Sequence, residues 1–155
     1  MATNSSSATD ALLERALAFL SLKDVPRTGW VLRGIDRPES VADHSWGSAM
    51  LVLLFAPVME TEATQAGERF DRDRATAIAL VHDLAEVEVG DIPRRAHPGE
   101  GDDAARSKAR LEEEAMRRLL AAVPGEPATS AESETTALDR IATLWREYET
   151  GKTAE

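Results

Sequence analysis

Apolar residues recur along the chain at helical spacing and nowhere alternate convincingly as in a strand. Leu12, Leu13, Ala16, Phe19 and Leu20 predict a helix that starts near Thr9 or Asp10 and runs through ALLERALAFLSLK. The segment DVPRTGWVLRGIDRPES, with Pro26, Gly29, Gly34 and Pro38, then breaks the pattern and reads as a long connection. Ser40 and Asp43 form a capping-box pair opening a helix to about Phe55, with a stop expected at Pro57. A third helix begins after Phe70, carries Ala75, Ile78, Leu80, Val81, Leu84 and Ala85 on its inner face, and ends by Gly90. After the loop PRRAHPGEGDD, a helix from about Ala104 to Val123 carries Leu111, Ala115, Met116, Leu119 and Leu120, and Pro124 and Gly125 stop it. The last helix spans roughly Ala131 to Tyr148, with Leu138, Ile141, Leu144, Trp145 and Tyr148 on one stripe. The expected fold is an all-α bundle in one domain over residues 10–150, flanked by a flexible N-terminal tail (1–9) and a short C-terminal tail (151–155).

Composition narrows the picture. With 155 residues the chain can bury one core, and with no cysteine it has neither disulfides nor thiolate metal sites. That suits a reducing cytoplasm. A net charge of −10 repels polyanions, so DNA and RNA tracts are not expected as partners. A small phosphorylated ligand held by one or two arginines remains compatible. No apolar run approaches bilayer-spanning length, so no membrane partner is expected, and MATNSSSATD lacks a signal-peptide pattern.

One stretch departs from the amphipathic pattern. LVHDLAEVEVGD, Leu80 to Asp91, places His82, Asp83, Glu86, Glu88 and Asp91 within a dozen positions. On a continuous helix, His82 and Asp83 adjoin Glu86 at i,i+4 and i,i+3. His82 and Asp83 can then reach one point beside the helix. Imidazole nitrogen and carboxylate oxygen are ordinary ligands for Mn, Fe, Co, Ni or Zn at roughly 2.0–2.2 Å. His97 sits in the Pro/Gly-rich loop. His44, on the side of its helix shared by Val41 and Leu51, is the better third ligand. A plainer reading stays open beside this one. His44 alone can be a core histidine, Asp83 can simply hold His82, and Glu86 and Glu88 can be solvated helix charges. Acids near a helix C-terminus oppose its dipole, which favours a functional role.

Three segments in this order, LKDVPRTGWVLRGIDRPESVADHSW, ALVHDLAEVEVGDIP and LWREYE, resemble the HD-domain metal-dependent phosphohydrolases, and within them the 5'-deoxynucleotidase branch. The resemblance runs from about Leu13 to Thr150. It implies a helical HD-domain bundle, homodimeric, that hydrolyses (deoxy)nucleoside 5'-monophosphates to nucleoside and phosphate. It implies His44, His82 and Asp83 as metal ligands, Glu86 and Asp91 as catalytic residues, and Arg27 or Arg33 as the phosphate contact, with Arg27 preferred. Glu86 is suited to orient or deprotonate the attacking water, and Asp91 to position water or assist the leaving group. With only His97 left over, one divalent ion is expected, whether Mn, Co, Ni, Fe, Mg or Zn.

The family's last ligand is an aspartate on a helix beyond the EYE segment. Here no aspartate follows Asp139, which precedes LWREYE. The chain is therefore expected to be C-terminally short relative to the family, with three protein ligands and some apolar surface uncovered. The alternative reading is a truncated or inactive HD-domain protein acting as a nucleotide-binding or partner-binding scaffold.

Overall fold

The computed structural model describes residues 3–93, 101–121 and 136–151. Among them all regular structure is helical: α1 (Thr3–Leu20), a 3₁₀ turn (Ser21–Asp24), α2 (Thr28–Val31), α3 (Val41–Ala66), α4 (Arg72–Val81), α5 (Glu86–Val89), α6 (Gly101–Leu119) and α7 (Ala137–Thr150). One isolated antiparallel bridge joins Pro26 to Ser40. The all-α expectation holds. The expected C-terminal stop of α6 at Pro124 and Gly125, the expected start of the last helix at Ala131, and His97 lie outside the described residues.

Boundaries and faces differ from expectation at several points. α1 begins at Thr3, so helix occupies most of the segment read as a tail. Its leucines Leu12, Leu13, Leu17 and Leu20 are exposed; of the expected stripe Phe19 packs inward, with Ala18 beside it. Arg15 Nε anchors the helix by donating to the Leu119 carbonyl (2.9 Å). α3 runs through Pro57 to Ala66 and ends in a left-handed cap at Gly67 (φ 75°). Pro57 lacks the N–H that would bond the Leu53 carbonyl, a loss of about 3 kcal/mol or more in a helix interior. α3 nevertheless continues, packed along α4, the most extensive helix pairing among the described residues. The buried side of α3 is Val41, Ser45, Ala49 and Ala56, small residues that permit close approach, while Leu51 faces outward. Over 26 residues α3 is also long and apolar enough, by length and composition, to cross a membrane. Short polar interruptions hide this from a search for an unbroken apolar run.

The predicted helix from Phe70 to Gly90 is two helices. After Val81 the backbone tightens into i→i+3 bonds, Leu84 N–H to Val81 O (3.0 Å) and Glu86 N–H to Asp83 O (3.0 Å), before α5 starts. The inner residues Leu84 and Ala85 in this turn join Ala115, Met116, Leu119 and Trp145 to form the core. Leu80 and Leu111, both expected inside, are exposed, and Glu112 takes the inner position on α6. The core therefore lies directly beneath the His82–Glu86 turn and fixes its backbone.

Candidate metal centre and cleft

The connection between the 3₁₀ turn and α3 is pinned at both ends. Arg27 N–H donates to Glu39 O (2.9 Å) and Val41 N–H to Val25 O (2.8 Å). Ser40 caps α3 and exchanges hydrogen bonds with Asp43, which sets the first turn carrying His44. Asp91, after the positive-φ Gly90, accepts from Thr28 N–H (2.7 Å), and Thr28 Oγ1 donates to the Asp91 carbonyl (2.6 Å). These contacts carry Arg27 onto the His82–Glu86 turn across more than fifty residues of sequence.

There the sequence-predicted residues meet. His44, His82 and Asp83 place one ligand atom each within 4.8 Å of one another. His82 Nε2 lies 3.1 Å from Asp83 Oδ2, His44 Nε2 lies 3.8 Å from the same oxygen, and the two imidazole centroids are 5.4 Å apart. His82 Nδ1 lies 2.9 Å from the Ala79 carbonyl, so Nδ1 carries a proton and donates. That leaves Nε2 facing Asp83. A histidine held through one nitrogen by a backbone carbonyl, with the other nitrogen presented beside a carboxylate, is the usual arrangement of a metal ligand. The donor set therefore fits a divalent ion.

Arg27 is the hub of the site. Its Nη1 sits 3.1 Å from Asp83 Oδ2, 3.8 Å from Glu86 Oε2 and 3.6 Å from Asp91 Oδ1. Arg33 lines the same cleft, exposed. Glu86, expected among solvated helix charges on the plainer reading, is 1% exposed, and its Oε2 accepts no hydrogen bond. Glu88 is the surface residue of the pair and binds Arg118 (2.6 Å). Both acids sit in the first turn of α5, so the expected conflict with a helix C-terminus does not arise.

Electrostatics follow from this crowding. Burial opposes charge on His82, but the hydrogen bond and charge of Asp83 outweigh it and raise the imidazole pKa. Burial would raise Asp83, yet the hydrogen bond and charge of His82, with Arg27 behind them, hold it below its ordinary value. Burial, then the positive charge of Arg27, lowers His44. Burial, with the charges of Asp83 and Asp91 added, pushes Glu86 up to about 8 against the pull of Lys108 and Arg27.

The site opens into a cleft of about 980 Å³. Sequence reasoning missed several of its walls. Trp30 donates from Nε1 to Glu39 Oε1 (3.0 Å). The Tyr148 ring packs edge-on to His82 at 5.0 Å. From α6, Lys108 Nζ reaches Glu86 Oε1 (3.5 Å) and Glu112 Oε1 (3.2 Å). The signal for this last pair was present: Lys108 and Glu112 lie on the same helical stripe as Ala115, Met116 and Leu119.

A family profile described as HD domain matches residues 19–155, which includes every residue of this centre. The chain belongs to the HD-domain family. It is 36% identical over 155 residues to the 5'-deoxynucleotidase HDDC2 of Homo sapiens, covering 99% of this chain and 63% of that protein. It is 33% identical over 135 residues to the 5'-deoxynucleotidase hdd1 of Schizosaccharomyces pombe, covering 86% and 57%. The chain thus spans roughly three fifths of the length of these relatives. Among solved structures it resembles a predicted metal-dependent phosphohydrolase from Magnetospirillum magnetotacticum (TM-score 0.63, 26% identity, covering 96% of this chain and 64% of that one). It also resembles a conserved hypothetical protein from Pyrococcus furiosus (TM-score 0.62, 29% identity, 91% and 68%).

Proposed function

We propose that this HD domain is a metal-dependent phosphomonoesterase acting on (deoxy)nucleoside 5'-monophosphates. The observation that carries the reading is the meeting of His44, His82 and Asp83 beside Arg27 at the floor of one cleft. The 5'-deoxynucleotidase relatives support the substrate class.

His44, His82 and Asp83 would hold one divalent ion, which when bound polarises a phosphoryl oxygen and acidifies a water. The rest falls to the chain's own groups. Arg27 neutralises phosphate charge and fixes its orientation, with Arg33 at the rim for the remainder of the ligand. Glu86, beside Asp83 and reached by Arg27 and Lys108, acts in its ionised form and takes the proton of the attacking water as the new P–O bond forms. Asp91 has one oxygen engaged by Thr28. Its other oxygen faces Arg27 and positions a water that gives a proton to the leaving 5'-oxygen as the P–O bond breaks, the proton taken up by Glu86 restoring that water.

The partner is a small nucleotide rather than a nucleic-acid tract or a bilayer, since the first turn of α3 belongs to a charged cleft. We assign the exposed apolar side of α3, where Trp46 is 65% and Leu54 70% exposed, to a homodimer contact. A clean monomer on gel filtration argues against that assignment. Absence of cysteine suits a cytoplasmic site of action.

The test is phosphate release from a panel of nucleoside monophosphates with Mn or Co added, with His82→Ala as control. Turnover abolished in a folded His82→Ala protein supports the enzyme. Metal-loaded protein that binds nucleotide and releases no phosphate would place it with the scaffold reading instead.

A further inference from the structure

A lysine on the inner stripe of a helix needs a reason. Lys108 lies on the stripe of α6 that continues through Glu112 to Ala115, Met116 and Leu119. Glu112 is 8% exposed, and its Oε1 lies 3.2 Å from the Lys108 ammonium. A buried carboxylate is costly unless paired, so this glutamate serves to fix the ammonium in place. The ammonium then points away from the core. It lies 3.5 Å from Glu86 Oε1, whereas Arg27 approaches the other oxygen, Oε2, at 3.8 Å, and it borders the cleft. An ammonium has three N–H donors, and the two carboxylates engage two of them.

Charge points the same way. Arg27 is already flanked by Asp83, Glu86 and Asp91. A phosphate dianion entering this acidic cleft meets three carboxylates around Arg27, so a further cation near its oxygens, beside Arg27 and a bound metal ion, favours its binding. Arg33 is exposed at the rim, whereas Lys108 stands at the wall beside Glu86.

We propose that Lys108, held by Glu112, is a second phosphate-binding residue, donating its third N–H to a phosphate oxygen beside Glu86. The proposal rests on the phosphomonoesterase reading, but binding of inorganic phosphate tests it without turnover. Calorimetric titration of the Mn-supplemented protein with phosphate is expected to show affinity weakened about tenfold in Lys108→Met, the scale of a lost charge-assisted hydrogen bond. Lys108→Arg should recover part of it, and KM for nucleotide should rise in proportion. Removing the ammonium leaves two buried acids without it, so a second measurement uses the unaltered protein. Amine acetylation read by mass spectrometry should show phosphate protecting Lys108 but not the exposed Lys23. Phosphate affinity within about twofold of the parent, loss of kcat alone, no phosphate binding by the parent, or no protection of Lys108 would each overturn the proposal. Lys108-dependent phosphate binding in a protein that releases no phosphate from nucleotides supports it and defeats only the hydrolase reading.

Discussion

Replacing Glu86 with glutamine should make the metal-free protein more stable at alkaline pH, because the native carboxylate is ionised at a site that resists charge. Glu86 is 1% exposed, between Lys108 at 3.5 Å and Arg27 at 3.8 Å, with Asp83 and Asp91 also acting on it. Its pKa rises from 4.5 to about 8. Between those values the folded chain keeps the proton and the unfolded chain has lost it. Stability therefore falls as pH rises through this window and levels off above it. A shift of that size corresponds to about 5 kcal/mol at 1.36 kcal/mol per unit. Glutamine keeps the shape and cannot ionise, so Glu86→Gln lacks this decline. His82, whose folded pKa is also raised, adds a loss of stability with rising pH to both proteins. The comparison therefore rests on the difference between their slopes. Urea unfolding of the chelator-treated proteins, followed by far-UV circular dichroism from about pH 5 to about pH 8.5, measures it. Parent and variant should match near the acid end and separate by several kcal/mol at the alkaline end. Parallel stability curves would refute the reasoning that the folded chain resists charge on Glu86.

Three further outcomes follow. Metal affinity should rise with pH through the raised pKa of His82, because a proton on its Nε2 competes with the ion; an affinity flat from about pH 5.5 to about pH 8 would contradict this. Trp145→Ala should cost about 3–5 kcal/mol in urea unfolding, since Trp145 is 3% exposed within the core beneath the site. Ser40→Ala removes the capping box of α3 and should cost about 1 kcal/mol, with weaker metal binding by calorimetry because the first turn carries His44.

The candidate ligands were legible because histidines are few and the HD doublet interrupts an apolar stripe. Their meeting was expected, but the contacts that assemble the site around it were not legible, because the antiparallel bridge and the Thr28–Asp91 clasp join distant segments. Helical periodicity located the bundle but extended one helix from Phe70 to Gly90. The chain instead tightens at His82–Ala85, where the core anchors Leu84 and Ala85. Pro57 reads as a stop, yet α3 continues past it, packed along α4. The capping pair Thr136 and Asp139 sets the start of α7, and its i,i+3 spacing is visible in the sequence. Exposed leucines on α1 and α3 defeat any rule that assigns apolar residues to the interior. Lys108 and Glu112 show the converse, charges at inner positions because a polar site lies there.

Direct metal-binding stoichiometry tests the central claim most sharply. Chelator-treated protein, titrated with Mn or Co by calorimetry and assayed for bound metal by elemental analysis, should take up one ion per chain, and His82→Ala and His44→Ala should each abolish that uptake while remaining folded. Failure to bind, or binding unchanged in both variants, would contradict the assignment of these imidazoles and Asp83 to one cation.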